Sequence, residues 1–134
     1  MPIDEHEYLG TFTIGDMFPF PYFILYEAIF NIGLKRIVDQ DLVPSDYTAI
    51  KFCARHEDNN KDVDDHSKDE IYSNLTNVSG NVYKYVWLTS NIAKAGRYYV
   101  RLELERASDA KKFHAPGVWY FIAERKMPGK FGDL

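Results

Sequence analysis

The sequence predicts an all-β fold, a β-sandwich of about seven short strands. Three observations point there. Short segments alternate apolar and polar residues with a period of two, and Gly, Pro, Asn and Asp punctuate them. The chain is also rich in strand-forming aromatics, with 10 Tyr, 9 Phe and 2 Trp in 134 residues. No helix-length segment separates successive strands, which argues against a parallel α/β sheet.

Residues 10–14 and 22–27 read as the first strands, parted by Gly15-Asp16 and Pro19-Phe20-Pro21. Proline lacks an amide donor, so that stretch belongs at an edge or a bend. Residues 28–42 (AIFNIGLKRIVDQDL) read two ways. Phe30, Leu34, Ile37 and Val38 fall at helical spacing, while Gly33 costs a helix ~1 kcal/mol relative to Ala. A hairpin bending near residues 31–33 fits as well, and Pro44 ends either form. Residues 47–55 (YTAIKFCAR) set Ile50 and Phe52 on one face against Lys51 and Cys53 on the other, and residues 68–73 read as a further strand.

After the turn Ser79-Gly80-Asn81, residues 81–88 (NVYKYVWL) place Tyr83, Tyr85 and Trp87 on one face. Val82, Lys84, Val86 and Leu88 share the other, which predicts a central strand partly covered on both sides. Residues 97–106 (RYYVRLELER) alternate most cleanly. Tyr98, Val100, Leu102 and Leu104 point inward; Arg97, Tyr99, Arg101, Glu103 and Glu105 point to water. A closing strand, 118–125, follows the turn Ala115-Pro116-Gly117. Gly96 is expected at positive φ, Tyr98 is expected to return its hydroxyl to nearby backbone, and Trp87 to pack between the sheets.

The length fits one domain, read as a sandwich over residues 1–126 and an extended tail over 127–134 (MPGKFGDL) that could order on a neighbouring copy. With 16 Lys+Arg against 20 Asp+Glu the net charge is −4, so neither nucleic acid nor a membrane is an expected partner. The charge is uneven: residues 1–93 hold 15 acids and 7 bases, residues 94–134 hold 5 and 9. One cysteine excludes an intrachain disulfide framework and a cysteine-based zinc cage. No apolar run is long enough to cross a bilayer, and MPIDEHEYLG carries acids where a secretory leader needs positive charge.

Few residues group into known chemistry. Asp58, Asn60 and Asp62 in the acidic stretch 57–70 follow the D-x-N-x-D spacing of a calcium loop. However, Val63 and Asp69 stand where such a loop needs Gly and Glu, so a solvated loop is expected. His6, His56, His66 and His114 show no paired metal spacing. His66 beside Asp64 and Asp65 offers a zinc ligand or an exposed loop residue, and Cys53 reads as a small buried side chain. There is no G-x-S-x-G, P-loop or G-x-G-x-x-G. The sequons at Asn74 and Asn77 read as turn residues. The expectation is therefore no enzyme, no catalytic residue, no metal and no cofactor. Tyr26, Tyr72, Tyr83, Tyr99 and Trp119 are candidates for exposed aromatics that anchor a protein interface or bind sugar.

The order of motifs carries a resemblance. Gly15-Asp16-Met17-Phe18-Pro19 leads a strand, and Asp41-Leu42 precedes Tyr47-Thr48-Ala49-Ile50-Lys51-Phe52. Then come Gly80-Asn81-Val82-Tyr83-Lys84-Tyr85-Val86-Trp87, Gly96-Arg97-Tyr98 running to Leu104, and Pro116-Gly117 before the last strand. Over residues 10–124 this resembles the immunoglobulin-like N-terminal domain of phage baseplate upper proteins and related phage structural proteins. It departs from them in residues 28–39, which read as an insertion, in Ser45-Asp46 where a glycine is usual, and in Ser90-Asn91 where an aspartate is. The resemblance implies an immunoglobulin-like sandwich located in a virion tail, baseplate or head–tail region. Its partners would be further copies of itself and other virion proteins, with a host-surface glycan as the alternative.

Overall fold

The computed structural model describes residues 7–14, 20–59, 66–87, 92, 94–115 and 117–125. Residues 15–19, 60–65, 88–91, Pro116 and the 127–134 tail lie outside the described residues, and with them the Gly15-Asp16 motif and most of the calcium-like pattern.

The fold is an all-β sandwich. Its strands are β1 (Glu7–Thr13), β2 (Tyr22–Ile24), β3 (Tyr26–Asn31), β4 (Arg36–Asp41), β5 (Tyr47–His56), β6 (Ile71–Asn74), β7 (Thr76–Ser79), β8 (Val82–Lys84), β9 (Gly96–Arg106), β10 (Lys112–His114) and β11 (Trp119–Glu124). The larger sheet runs β1-β11-β9-β5-β6, and β10 also pairs with β9. β1 lies parallel to β11; the other pairings are antiparallel. The smaller sheet is β2-β8-β7, and β3 and β4 form a two-stranded sheet of their own.

The inward set of β9 behaves as the alternation predicts: Tyr98, Val100, Leu102 and Leu104 are buried. Phe52 on β5 stacks on Tyr85 with centroids 4.3 Å apart and also meets Phe23 of β2, which bridges the sheets. Trp87 packs against Phe12, Tyr85, Phe121 and Phe52 at 4.9–5.8 Å. Tilted and edge-on pairs of this kind add to simple burial because each ring edge meets a neighbouring π face.

Gly96 sits at φ +135°, and a Cβ there would lie 2.5 Å from His56 Nε2, so both backbone and space require glycine. Two residues on, the Tyr98 hydroxyl donates to the Lys94 carbonyl at 2.6 Å, as expected of a corner tyrosine.

Several expectations are corrected. Of the two readings open for residues 28–42, the hairpin holds and the helix does not: β3 and β4 pair from Tyr26↔Asp41 to Asn31↔Arg36. The turn is closed by Asn31 Oδ1, which accepts from the Leu34 amide at 2.8 Å, and Lys35 takes φ 53°. Helical spacing misleads here because Leu34 and Ile37 face no core in this chain. The described strands number eleven rather than about seven. Leu25 turns into the core and splits β2 from β3, β7 is a short strand where Asn77 reads as a turn residue, and β10 is a short strand in a stretch assigned to none. β8 is central, as expected, but ends at Lys84, and Tyr83, Tyr85 and Trp87 are buried while Val86 is exposed.

Two stability measurements test this packing. Trp87→Ala should cost ~3–5 kcal/mol in chemical denaturation, since four aromatic neighbours lose their partner; a loss under ~1 kcal/mol would place the indole outside the core. Tyr98→Phe should cost ~1 kcal/mol, the net worth of one hydrogen bond, and an unchanged midpoint would contradict it.

Candidate functional site

Two features stand apart from the core. The first is the β3–β4 hairpin, an arm of six-residue strands reaching ~20 Å at 3.4 Å per residue. Its root is anchored. Leu25 and Leu42 are buried, the Leu42 amide donates to the Leu25 carbonyl at 3.1 Å, and Asn81 Nδ2 donates to the same carbonyl at 2.7 Å. Its outer part exposes apolar side chains. Of ten exposed large hydrophobics among the described residues, seven fall between positions 22 and 43, and Ile32 and Ile37 are 81% and 68% exposed. A groove of about 800 Å³ runs along the root, lined by Tyr26, Glu27, Tyr47, Arg106, Phe113 and His114 among others. Tyr47 donates to Glu27 Oε2 at 3.3 Å, while the buried Glu27 Oε1 has no hydrogen-bond partner. Burial and the Glu27 charge push the Tyr47 phenol up.

The second feature is a polar cluster on the outer face of the larger sheet, across β5, β6, β9 and β10. The register places Tyr72 and Arg101 on either side of Cys53, and His114 beside Glu103. His66 folds back over them from the preceding loop. Its Nδ1 lies 2.6 Å from Asp69 Oδ2 and its Nε2 lies 2.8 Å from Glu103 Oε2. Arg55 holds the other Asp69 oxygen at 2.7–2.8 Å, and the Tyr72 hydroxyl donates to Glu103 Oε1. The Tyr72 ring stacks on the His66 imidazole at 4.0 Å, and Lys51 Nζ lies 4.6 Å from the Tyr72 ring centre.

Charges set the protonation of this cluster. Burial pulls the His66 pKa down, but the bonds to Asp69 and Glu103 outweigh it and raise it above 6.5. Burial pushes Glu103 up, but the bonds from Tyr72 and His66 win and bring it below 4.5. His114 is lowered, by burial and then by Arg101. Tyr72 is raised, by burial and then by its bond to Glu103.

The sequence candidates end up in varied places. Asp58 is held by Lys94 Nζ at 2.6 Å and Asp69 by Arg55, so two carboxylates of the calcium-like stretch are committed to cations. His66 is no exposed loop residue, and its partners are Asp69 and Glu103; Asp64 and Asp65 lie outside the described residues, as does His6. His56 is buried. Its Nδ1 accepts the Asp58 amide at 3.0 Å, which leaves Nε2–H to donate to the Ala95 carbonyl at 2.8 Å. Cys53 is buried as expected, and burial pushes its thiol up to about 12, so it stays protonated. Asn77 closes the turn to Gly80 and Val82 as expected. Among the aromatic candidates Tyr26 is exposed, Tyr83 is buried, and Tyr72, Tyr99 and Trp119 are half-buried. Glu103 was expected in water, but the cluster above it buries it to 8% exposure.

The shifts fix a pH dependence for the protein without bound metal. A raised histidine stabilises fully below its unfolded value of 6.5 and ceases to as pH rises through its folded pKa. A lowered carboxylate stabilises above its unfolded value of 4.5 and ceases to as pH falls through its folded pKa. His114, lowered, subtracts stability as pH falls below 6.5. The difference in thermal midpoint between wild type and His66→Gln should therefore be largest between pH 4.5 and 6.5 and shrink toward pH 8. A difference that stays the same from pH 4.5 to pH 8 would contradict the pairing of His66 with Asp69 and Glu103.

Comparison of the chain with known protein families, characterised proteins and solved structures finds no match.

Proposed function

We propose that the chain is a non-enzymatic structural subunit of a phage or prophage virion, in its tail, baseplate or head–tail region, and that it works by multimeric assembly. The observation that carries this reading is the apolar arm. Ile32, Leu34 and Ile37 stand in water at the end of an otherwise well-packed sandwich. Burying each would yield ~1.5–3 kcal/mol. An arm anchored at its root and apolar at its tip fits insertion against a neighbouring subunit.

The strand arrangement supports the immunoglobulin-like part of the resemblance. A central β9 with a corner tyrosine lies between β11 and β5, extended by β6, and faces a three-stranded sheet. The first strand departs from the constant-type pattern by joining the larger sheet beside β11. A glycan-binding role has less support: exposed Tyr8, Tyr22 and Tyr26 lie on three different sheets and form no row.

The triple variant Ile32→Ser, Leu34→Ser, Ile37→Ser tests the arm. Wild type should sediment as a multimer at micromolar concentration, and the variant as a monomer with its thermal midpoint nearly unchanged. Wild type that stays monomeric, or a variant that assembles like wild type, would contradict the role. The gene's neighbourhood tests the setting: capsid and tail genes on either side are expected, and unrelated metabolic genes would count against it.

A further inference from the structure

The His66 cluster poses a charge problem. Both ring nitrogens face carboxylate oxygens, at 2.6 Å on Asp69 and 2.8 Å on Glu103. A neutral imidazole has one N–H and so can satisfy only one of them. Either a second proton lies between Nε2 and Glu103, or a metal ion coordinated by both takes its place as the two atoms move apart. A third donor is at hand. His114 lies across the β9–β10 pair from Glu103, its ring 6.1 Å from that of His66, and one ligand-type atom each from His66, Glu103 and His114 lies within 4.8 Å of the other two.

We infer that His66, Glu103 and His114 form a binding site for a zinc-class divalent cation. The surroundings suit the role. Asp69 fixes the Nδ1–H tautomer of His66 and so aims the Nε2 lone pair, the carboxylate–histidine arrangement that orients metal-bound imidazoles. Arg55 in turn fixes Asp69, the Tyr72 hydroxyl occupies Glu103 Oε1, and Oε2 is left for the cation. Two imidazoles and one carboxylate select zinc over calcium or magnesium, which need a shell of oxygens. His114 is exposed, so the cation reaches the site from solvent and a water can complete four-coordination. A second grouping, Cys53 with His66 and Asp69, is less suitable: its thiol is buried and protonated, and Arg55 already neutralises its carboxylate. The site needs one chain alone, so it stands apart from the assembly reading.

Zinc chloride titrated calorimetrically into the full chain, first stripped with chelator, should bind at one ion per chain. His114→Gln should weaken it at least tenfold while leaving the His66 contacts to Asp69 and Glu103 in place. Cobalt(II) should give the visible absorption of a four-coordinate nitrogen–oxygen site in wild type and lose it in Glu103→Gln. No saturable zinc binding, zinc affinity unchanged in His114→Gln, or a cobalt spectrum identical to the aqueous ion would each overturn the proposal in favour of a protonated His66.

Discussion

Everything in this molecule depends on Phe52 meeting the smaller sheet. It sits on the central strand pair β5–β9, fully buried, and its ring lies nearly flat on Tyr85. Around that stack Phe12, Phe23, Trp87, Tyr98 and Phe121 close a continuous aromatic interior. No described side chain of the β3–β4 arm belongs to this core. Leu25, Leu42 and Asn81 tie the arm at its root, Tyr47 bonds Glu27 on β3, and Ile32, Leu34 and Ile37 are exposed toward its tip.

Core and periphery follow different rules. Inside, position is set by burial, and Gly96 shows how tightly, since even one added carbon would strike His56. On the outer face of the larger sheet, position is set by charge. Arg55, Asp69, His66, Glu103 and Tyr72 form a continuous chain of polar contacts that covers the middle of the sheet. Such a cover shields the carboxylate of Glu103, which has a cost unless every partner is in place. The arm's root and this cluster converge at His114, which lines the groove and stands beside Glu103.

What the sequence made legible follows from the same division. The inward face of β9 could be read residue by residue because each of its positions meets the core, whereas Glu103 on the outward face could not. Trp87, Tyr98 and Gly96 could be placed because a single physical requirement fixes each. The arm was ambiguous between helix and hairpin because Leu34 and Ile37 are not patterned by this chain's interior. β7 and β10 escaped notice because strands of three or four residues carry too few alternations to register. The cluster was invisible for another reason. His66, Asp69 and Tyr72 are about thirty residues or more from Glu103 and His114 in sequence, and the β6–β5–β9–β10 register brings the two groups together. One signal was available: a carboxylate, Glu103, and a histidine, His114, on strands joined by a short turn.

Hydrogen–deuterium exchange on the free and the assembled chain tests the division most directly. In the free chain, amides of β5 and β9 should exchange only through global unfolding, while those of β3 and β4 exchange orders of magnitude faster; on assembly the arm alone should become protected. An arm as slow as β5 in the free chain, or one whose exchange is unaltered by assembly, would contradict the account.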